Sequence, residues 1–479
     1  MRYCHGQIVT QTRYRAERNP PGDLPAGMSV SVATVPAARP RRARGPYRAP
    51  RRGIRHSRKV TTDAVILRDA VAGYSRRLHA VAGSGHHVAS PLGAWLLLAL
   101  CAPAAAGEAA ARGPLGEVLG CDAKVAARLA ADLLGRPHPQ VAAAVAAWTR
   151  DRPELPAAVR QWQASLPAAV AAGPVPGQAA ADAWARDHTF GLIERFPARI
   201  SPLTYLVLAT ALATRVSWQQ PFGLAPAAEL GAQSPWSRRL GQVLATPARP
   251  GPAGHRALIA VTPEAGDVIV HLARARDGLL VASVAAAGEV PYLQVLAAAQ
   301  RIGTAAATGG ELPARALASL PAGETPRWRI WDEAATGPGG GADRFTAVLP
   351  AWSARSELDL ADPGLGFAAV AAALGGGDPW TAAQSAVARY TRAGFEAAAV
   401  TAMAVTASAR RPAAGRRRAA QLRFGQPYAV AAVAADAGGS GAPGLWPGVP
   451  VFSAWVTDPQ DAAGETEAGP ESRPGAGPQ

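Results

Sequence analysis

The chain has 479 residues, of which 49% are hydrophobic, so it is long enough to bury a large core. Its formal charge is +15, but residues 1–59 alone hold fourteen Arg or Lys against Glu17 and Asp23, which leaves about +3 for the remainder. This uneven distribution excludes a nucleic-acid-binding surface that extends over the whole globular body.

The N-terminal segment 1–59 is rich in Arg and Pro and shows no period of 2.0 or 3.6, so we predict a disordered basic tail. Three interpretations stay open for it: a solvated tail, a contact with nucleic acid or an acidic membrane surface, or sequence upstream of a true start near Val60. We expect a single domain over 60–459 and a second disordered tail over 460–479.

Helical signals dominate the first half of the chain. Asp63 is a plausible N-cap for a helix that runs to about Ala80, and Ser90 with Pro91 opens another. The apolar run 91–106 is shorter than the ~20 residues of a membrane span, so we predict a buried helix. Further helices are predicted at 108–119, 122–135, 154–165 and 178–196, a strand or helix at 140–149, and a long buried strand at 204–217.

Strand signals dominate the second half, with one helix at 291–302. Helices followed by strands that must pair over long sequence separations indicate the α+β class. The strands are predicted at 258–261, 268–273, 279–284, 326–331, 344–349, 385–391, 424–434 and 449–456.

Catalytic and metal-binding motifs are missing from the sequence. His86 and His87 are adjacent, so on a strand they face opposite ways and chelate poorly. There is no HExxH, P-loop, GxSxG elbow or well-placed GxGxxG. Cys101 and Cys121, with Cys4 in the tail, form no CxxC pair and no disulfide framework. We therefore expect no enzyme activity, no metal and no cofactor.

Four separated segments carry recognisable motifs: an SPL helix start at 90–92, a D-A-W…T-x-G-x-I pattern at 182–193, LATALATRVSWQQPF at 208–222 and AGFEAAA at 393–399. Supporting matches lie at Leu349-Pro350 with Trp352, at 358–360, at Phe424 to Tyr428, similar to F-x-R-P-F, and in the closing strand 451–459. In this order, over about 61–459, the segments resemble those of the serpins, a family of serine protease inhibitors.

The resemblance implies helices around a large central mixed sheet, smaller sheets, and an exposed reactive-centre loop, here over 394–423. In this family a protease cleaves the loop and forms an acyl-enzyme, and the cut loop then inserts into the main sheet and distorts the protease. The native state is therefore a metastable kinetic trap. The resemblance implies that the chain is a divergent, bacterial-type member of the family.

The hinge of that loop departs from the family pattern. Strand side chains alternate, and because Glu396 should stay in water, the set beginning with Phe395 should turn inward. Phe395 stands where Thr or Ser is usual, and we expect its ring to hinder insertion. Arg392 also replaces a usual Glu. The hinge residues that the resemblance implies are Gly394, Phe395, Glu396, Ala397, Ala398 and Ala399.

The sheet-opening region departs as well. Gly93 replaces the second Ser of the family's cluster, Thr210 replaces an Asn and Gln384 replaces a His, so the hydrogen-bonded network that includes Ser90 should be absent or rebuilt. Trp218 is retained, either as a plain core residue or in the family's role at the top of the sheet.

The scissile bond is ambiguous because the loop is about eight residues longer than usual. Counting forward from the hinge gives Ser408–Ala409, and counting back from Phe424 gives Arg416–Arg417. The basic run that includes Arg410 and Arg411 would suit a trypsin-like or dibasic-cleaving protease, but it could also be a solvated loop.

Two functional hypotheses follow. The first is a suicide-substrate inhibitor of a serine-type endopeptidase, whose partner is a protease that cleaves after basic residues. The second is a non-inhibitory serpin that serves as a binding or chaperone-like module. We expect a monomer, and because no signal peptide is evident, a cytoplasmic location is favoured over an extracellular one.

Overall fold

The structure is a computed structural model, and from Arg52 onward the chain forms one compact unit. No helix within the described residues is long and apolar enough to cross a membrane. The described ranges are 51–106, 113–150, 157–214, 216–247, 254–276, 278–335, 343–375, 379–395, 415–435 and 444–463.

Eight α-helices lie within these ranges. The second is buried along most of its length and packs against the fourth and the eighth. Asp122 caps the fourth helix by accepting from Lys124 N at 2.8 Å and Val125 N at 3.3 Å. The helices are α1 Arg51–Ala82, α2 Pro91–Ala106, α3 Pro114–Leu119, α4 Ala123–Leu134, α5 Ala157–Ser165, α6 Gln178–Asp187, α7 Tyr292–Ala307 and α8 Phe367–Gly375.

The described strands number nineteen. They are β1 His87–Ala89, β2 Val141–Thr149, β3 Val170–Pro174, β4 Leu206–Thr214, β5 Val216–Ser217, β6 Gly223–Pro226, β7 Gln242–Ala245, β8 His255–Thr262, β9 Gly266–Arg274, β10 Leu279–Ala285, β11 Gly323–Glu324, β12 Trp328–Ala335, β13 Arg344–Leu349, β14 Trp352–Asp359, β15 Trp380–Tyr390, β16 Gly394–Phe395, β17 Gly415–Arg423, β18 Tyr428–Ala434 and β19 Pro450–Val456.

The main sheet has seven strands in the order β3-β2-β4-β15-β16-β5, with β14 on the other edge of β15. Its pairing is mixed, because β4 runs parallel to β15 and antiparallel to β2. Strand β4 is buried along its whole length, as its continuous apolar sequence predicts. The large central mixed sheet that the resemblance implies is therefore present.

Two six-stranded sheets complete the architecture. The second sheet has the order β1-β19-β18-β10-β9-β8 and is covered on one face by α7. The third sheet has the order β11-β12-β17-β13-β7-β6. Distant segments pair in both, which confirms the α+β class.

Several boundaries predicted from sequence were wrong. Helix α1 begins at Arg51, inside the segment expected to be a tail. The helix predicted to end at 196 ends at Asp187, and a tight turn with Phe190 at φ 55° follows it. Residues 415–423, assigned to the exposed loop, form strand β17, whose Ala419, Ala420 and Leu422 are buried. Their sequence, GRRRAAQLR, does not alternate polar and apolar residues and so gives no clear strand signal.

Candidate functional site

A gap in the main sheet separates β4 from β15 at one end, where the last three residues of β4 and the last five of β15 do not pair with each other. The two strands pair from Leu206 with Trp380 to Ala211 with Ser385, and β15 then continues to Tyr390 without β4 beside it. At its far end β16 takes the vacated position, with Phe395 opposite Tyr390 on one side and Val216 on the other. The hinge segment therefore enters the sheet as the start of a strand.

A tight turn links β15 to β16. The backbone N–H and hydroxyl of Thr391 both donate to Gly394 O at 2.9 Å, and Gly394 N donates to Thr391 Oγ1 at 3.1 Å. A Cβ on Gly394 would overlap the carbonyl oxygen of Val216. Only glycine permits β16 to lie this close to β5, so the requirement for a hinge glycine is steric.

Trp218 holds this turn through two hydrogen bonds. Its indole Nε1 donates to Thr391 O at 3.0 Å and its backbone N–H donates to Ala393 O at 3.0 Å. The ring is fully buried and its centroid lies 5.1 Å from that of Tyr390. The second interpretation of Trp218 fits this arrangement, because the side chain fixes the top of the sheet where the loop begins.

Phe395 is seated in an aromatic cluster rather than excluded from the sheet. The ring is 3% exposed and makes edge contacts with Trp352 and Tyr390, at centroid distances of 6.2 and 6.4 Å. It turns inward, as the strand alternation predicts. The ring therefore lies inside the sheet in the uncut chain, and the expected hindrance to loop insertion stays a prediction.

Arg392 makes a specific contact in place of the usual acid. Its Nε donates to Phe222 O at 3.0 Å, while Phe222 N donates back to Arg392 O at 3.0 Å. Phe222 itself packs against Trp218 and Tyr390. The hinge turn is thus tied to the segment that follows Trp218 on both of its sides.

The polar cluster at the start of α2 is rebuilt around Gln384. Its Oε1 accepts from Ser90 N at 2.9 Å and its Nε2 donates to Ser90 O at 2.8 Å. Ser90 Oγ accepts from Gly93 N at 3.1 Å, which caps α2, and donates to Val451 O at 2.9 Å. All these groups are buried, and the bonds that Ser90 makes to Gln384 and to Val451 link β15, the start of α2 and β19 near the end of the paired region.

Gly93 and Thr210 fit together within this cluster. A Cβ at position 93 would lie 2.7 Å from Thr210 Oγ1, 3.1 Å from Ser90 Oγ and 3.5 Å from Gln384 Nε2. Thr210 is also the partner of Gln384 across the β4–β15 ladder. The longer amide of Gln384 and the hydroxyl of Thr210 fill the space that a serine at 93 would need, which explains why these departures occur together.

Helix α6 packs on the main sheet, and the motif residues at 182–193 hold the segment that follows it. Asp182 Oδ1 accepts from Phe196 N at 2.9 Å, and Thr189 Oγ1 accepts from Ile193 N at 3.0 Å. Ile193 and Phe196 pack with Ala181, Val207 and neighbouring residues of β2 and β4. The motif residues therefore close the return segment onto the sheet.

Most of the predicted loop residues lie outside the described residues. These are Glu396, Ala397, Ala398, Ala399, Ser408, Ala409, Arg410 and Arg411. The Arg416–Arg417 alternative falls inside β17, which pairs with β12 at both positions. A protease binds an exposed extended segment, so this placement argues against a bait bond there.

Arg417 is engaged in an ion-pair network. Its Nε donates to Glu333 Oε1 at 2.7 Å, and Arg344 donates to both oxygens of the same carboxylate at 2.8 and 2.7 Å. These bonds lower the pKa of Glu333 to about 2, with the Arg344 hydrogen bonds as the largest cause. The network fastens the far end of the loop to the third sheet.

Sequence reasoning missed Tyr390 and Thr391 as parts of the site, and it gave Trp352 only as a supporting match to the family. Each of the three lies at a strand end and contributes through its position at the hinge. Among the described residues no group of three His, Cys, Asp or Glu could hold a metal ion.

No family model and no curated protein matches the sequence. Solved structures match with probability 1.00 at low identity. Human thyroxine-binding globulin complexed with thyroxine has a TM-score of 0.55 at 13% identity, covering 84% of this chain and 100% of that one. Human glycosylated kallistatin has a TM-score of 0.55 at 12% identity, covering 83% and 99%.

The thermophilic serpin tengpin, solved in its native state, has a TM-score of 0.55 at 12% identity and covers 83% of this chain and 94% of its own. These neighbours match nearly their whole length, and their sheets and helices correspond to those described above. The chain has the serpin fold.

Proposed function

We propose that the protein is a suicide-substrate inhibitor of a serine-type endopeptidase, which acts by loop cleavage and insertion. The observation that carries the proposal is the half-open main sheet, in which β4 and β15 part after Ala211 and Ser385 while β16 already starts a strand in the gap. A cleaved loop that continued from Phe395 would extend β16 along the gap between β4 and β15. It would then complete the unpaired backbone edges of both neighbours.

The rebuilt clusters support the same mechanism. Insertion needs β4 and β15 to separate at a defined place, and Gln384 holds that place through two bonds to Ser90. The hinge residue Phe395 already has its pocket. On this proposal, the departures at 93, 210, 384 and 395 are a variant of the mechanism rather than a loss of it.

For the target we propose a trypsin-like or dibasic-cleaving protease. Such a protease cleaves after Arg or Lys, so this target requires the bait bond to follow Arg410 or Arg411, two or three residues past the Ser408 that the forward count from the hinge gives. The alternative bond counted back from Phe424, Arg416–Arg417, is disfavoured because both residues pair within β17. The alternative of a non-inhibitory binding module predicts ordinary cleavage with no trapped protease.

The test mixes the full chain with trypsin-like and subtilisin-like proteases in separate reactions, followed by a denaturing gel. We expect a band at the summed mass of protein and protease with at least one of them, because the acyl bond survives denaturation. Preincubation of the protease with an active-site-directed inhibitor is the control and should abolish the band. Clean cleavage without the band in every reaction would contradict the proposal.

A further inference from the structure

Two buried histidines join the first helix to the second sheet. His79 on α1 and His87 on β1 are 1% and 4% exposed, and His79 Nδ1 lies 2.7 Å from His87 Nε2. The outer nitrogens also have partners: His87 Nδ1 lies 2.9 Å from Gly85 O, and His79 Nε2 lies 2.6 Å from Ser453 Oγ on β19.

These contacts determine the direction of each hydrogen bond in the series from Gly85 through the two histidines to Ser453. Gly85 O can only accept, so His87 Nδ1 carries the proton and neutral His87 presents a bare Nε2. His79 Nδ1 therefore donates to it, which leaves His79 Nε2 as the acceptor for the Ser453 hydroxyl. The amide Nε2 of Gln300 donates to Ser453 Oγ at 3.4 Å and also to Ser75.

A proton added to one of the two rings has no acceptor within this series of hydrogen bonds. A proton on His87 Nε2 would force His79 to donate from Nε2, and Ser453 would then lose the acceptor of its hydroxyl. Gln300 offers that hydroxyl only an N–H. Two neutral rings satisfy all these groups, whereas a single positive charge leaves the buried Ser453 hydroxyl hydrogen without an acceptor among them.

The surroundings supply no counter-charge. His86, which directly precedes β1, acts electrostatically on His87. From α7, the hydroxyl of Tyr292 donates to His79 O at 3.2 Å. From β19 the contact is Ser453. No carboxylate bonds to either ring among the described residues. Burial, and then the neighbouring ring, lowers the pKa of His79 to about 3, and burial lowers that of His87.

The pair is connected to the sheet-opening cluster through a single short strand. Val88 N donates to Ser356 Oγ on β14 at 3.0 Å, and Ser90, three residues after His87, makes both bonds to Gln384. His86 holds the same strand from outside, because its Nε2 donates to Ser353 O at 2.9 Å and its Nδ1 accepts from Thr457 N at 3.2 Å.

We propose that the His79–His87 pair is a pH-sensitive latch on the opening of the main sheet: when neutral it holds β1 and the Ser90–Gln384 bonds in place, and when protonated it releases them. The gap's role in loop insertion rests on the proposed function. The latch itself concerns the uncut protein and needs no protease.

The experiment is hydrogen exchange by mass spectrometry on the intact full chain at pH 7.5 and 5.0, with rates corrected for intrinsic chemistry. The reporter peptides cover 84–93 and 380–390, and 419–423 in β17 serves as reference. One histidine of ordinary pKa 6.5 in the open state gives about a 30-fold larger opening equilibrium at pH 5.0. We expect that loss of protection in both reporters and little change in the reference.

Matched variants assign the effect to the pair. The double variant His79→Gln/His87→Gln removes both titrating rings and should abolish the pH dependence. The control His188→Gln changes an exposed histidine at the end of α6 and should retain the full effect. Persistence of the 30-fold loss in the double variant would overturn the proposal. So would pH-independent protection in the wild-type chain, which requires no variant to fold.

Discussion

The side chain of Gln384 bonds both backbone polar groups of Ser90, with its oxygen 2.9 Å from the N–H and its nitrogen 2.8 Å from the carbonyl oxygen. An amide is the side chain that can both donate and accept in this way. The bonds between Gln384 and Ser90 lie near the end of the paired part of β4 and β15 and join it to the start of α2. The stability of the closed sheet should therefore depend on the groups around it.

Gly93→Ser should destabilise the protein by about 1–3 kcal/mol, because its Cβ would lie 2.7 Å from Thr210 Oγ1 in a buried cluster. Urea unfolding measures the change. Gly73→Ser is the matched control, since nothing lies within 4 Å of a Cβ there. Equal stability of the two variants would mean that the cluster is looser than the structure shows.

Gly394→Ala should detach β16 from β5, because the new methyl group would overlap Val216 O. We expect faster amide exchange at 216–218 and a lower melting temperature. Gly85→Ala introduces the same methyl group into open space and should leave both unchanged. Unaltered exchange at 216–218 in Gly394→Ala would contradict the placement of the hinge inside the sheet.

Phe395→Ala should lower the free energy of unfolding by about 3 kcal/mol, since the ring is buried against Trp352 and Tyr390. Chemical denaturation measures the loss. Leu203→Ala removes a side chain that is 75% exposed and should have almost no effect. If the two variants unfolded alike, the hinge ring would be at the surface.

Glu333→Gln should remove about 1–2 kcal/mol, because the carboxylate accepts from Arg344 and Arg417 at 20% exposure. The folded pKa is about 2, below the usual value, so this stabilisation is present above about pH 5 and is lost as pH falls toward 2. The difference between wild type and variant should therefore shrink over that window. Glu357→Gln, half exposed, is the control.

The sequence predicted the scaffold better than the loop anchors. Ser90 and Pro91 gave the helix start, and the apolar run at 204–214 gave the central strand, because capping and continuous hydrophobicity are local signals. Strand β17 was missed because Arg417 and Arg418 find their acids on β12, more than eighty residues away in sequence. No local pattern shows such a partner.

The structure places Gly93, Thr210 and Gln384 together, but the sequence did not predict how these residues fit against one another. Glycine at 93, threonine at 210 and glutamine at 384 read singly as lost polar groups. Only the three-dimensional neighbours show that Gln384 reaches Ser90 and that Thr210 occupies the space above Gly93. Phe395 was expected to hinder insertion from its size alone, and its contacts with Trp352 and Tyr390 follow from packing that the sequence does not show.

The central claim is that the gap between β4 and β15 accepts the cleaved loop, and the melting temperature of nicked protein tests it most directly. The loop is cut within 396–414 by a limiting amount of a non-target protease, and the two fragments, still associated, are compared with the intact chain by calorimetry. We predict that the nicked protein melts well above the intact protein, because the inserted strand completes the sheet. A nicked protein that melts at the same or a lower temperature would contradict the account.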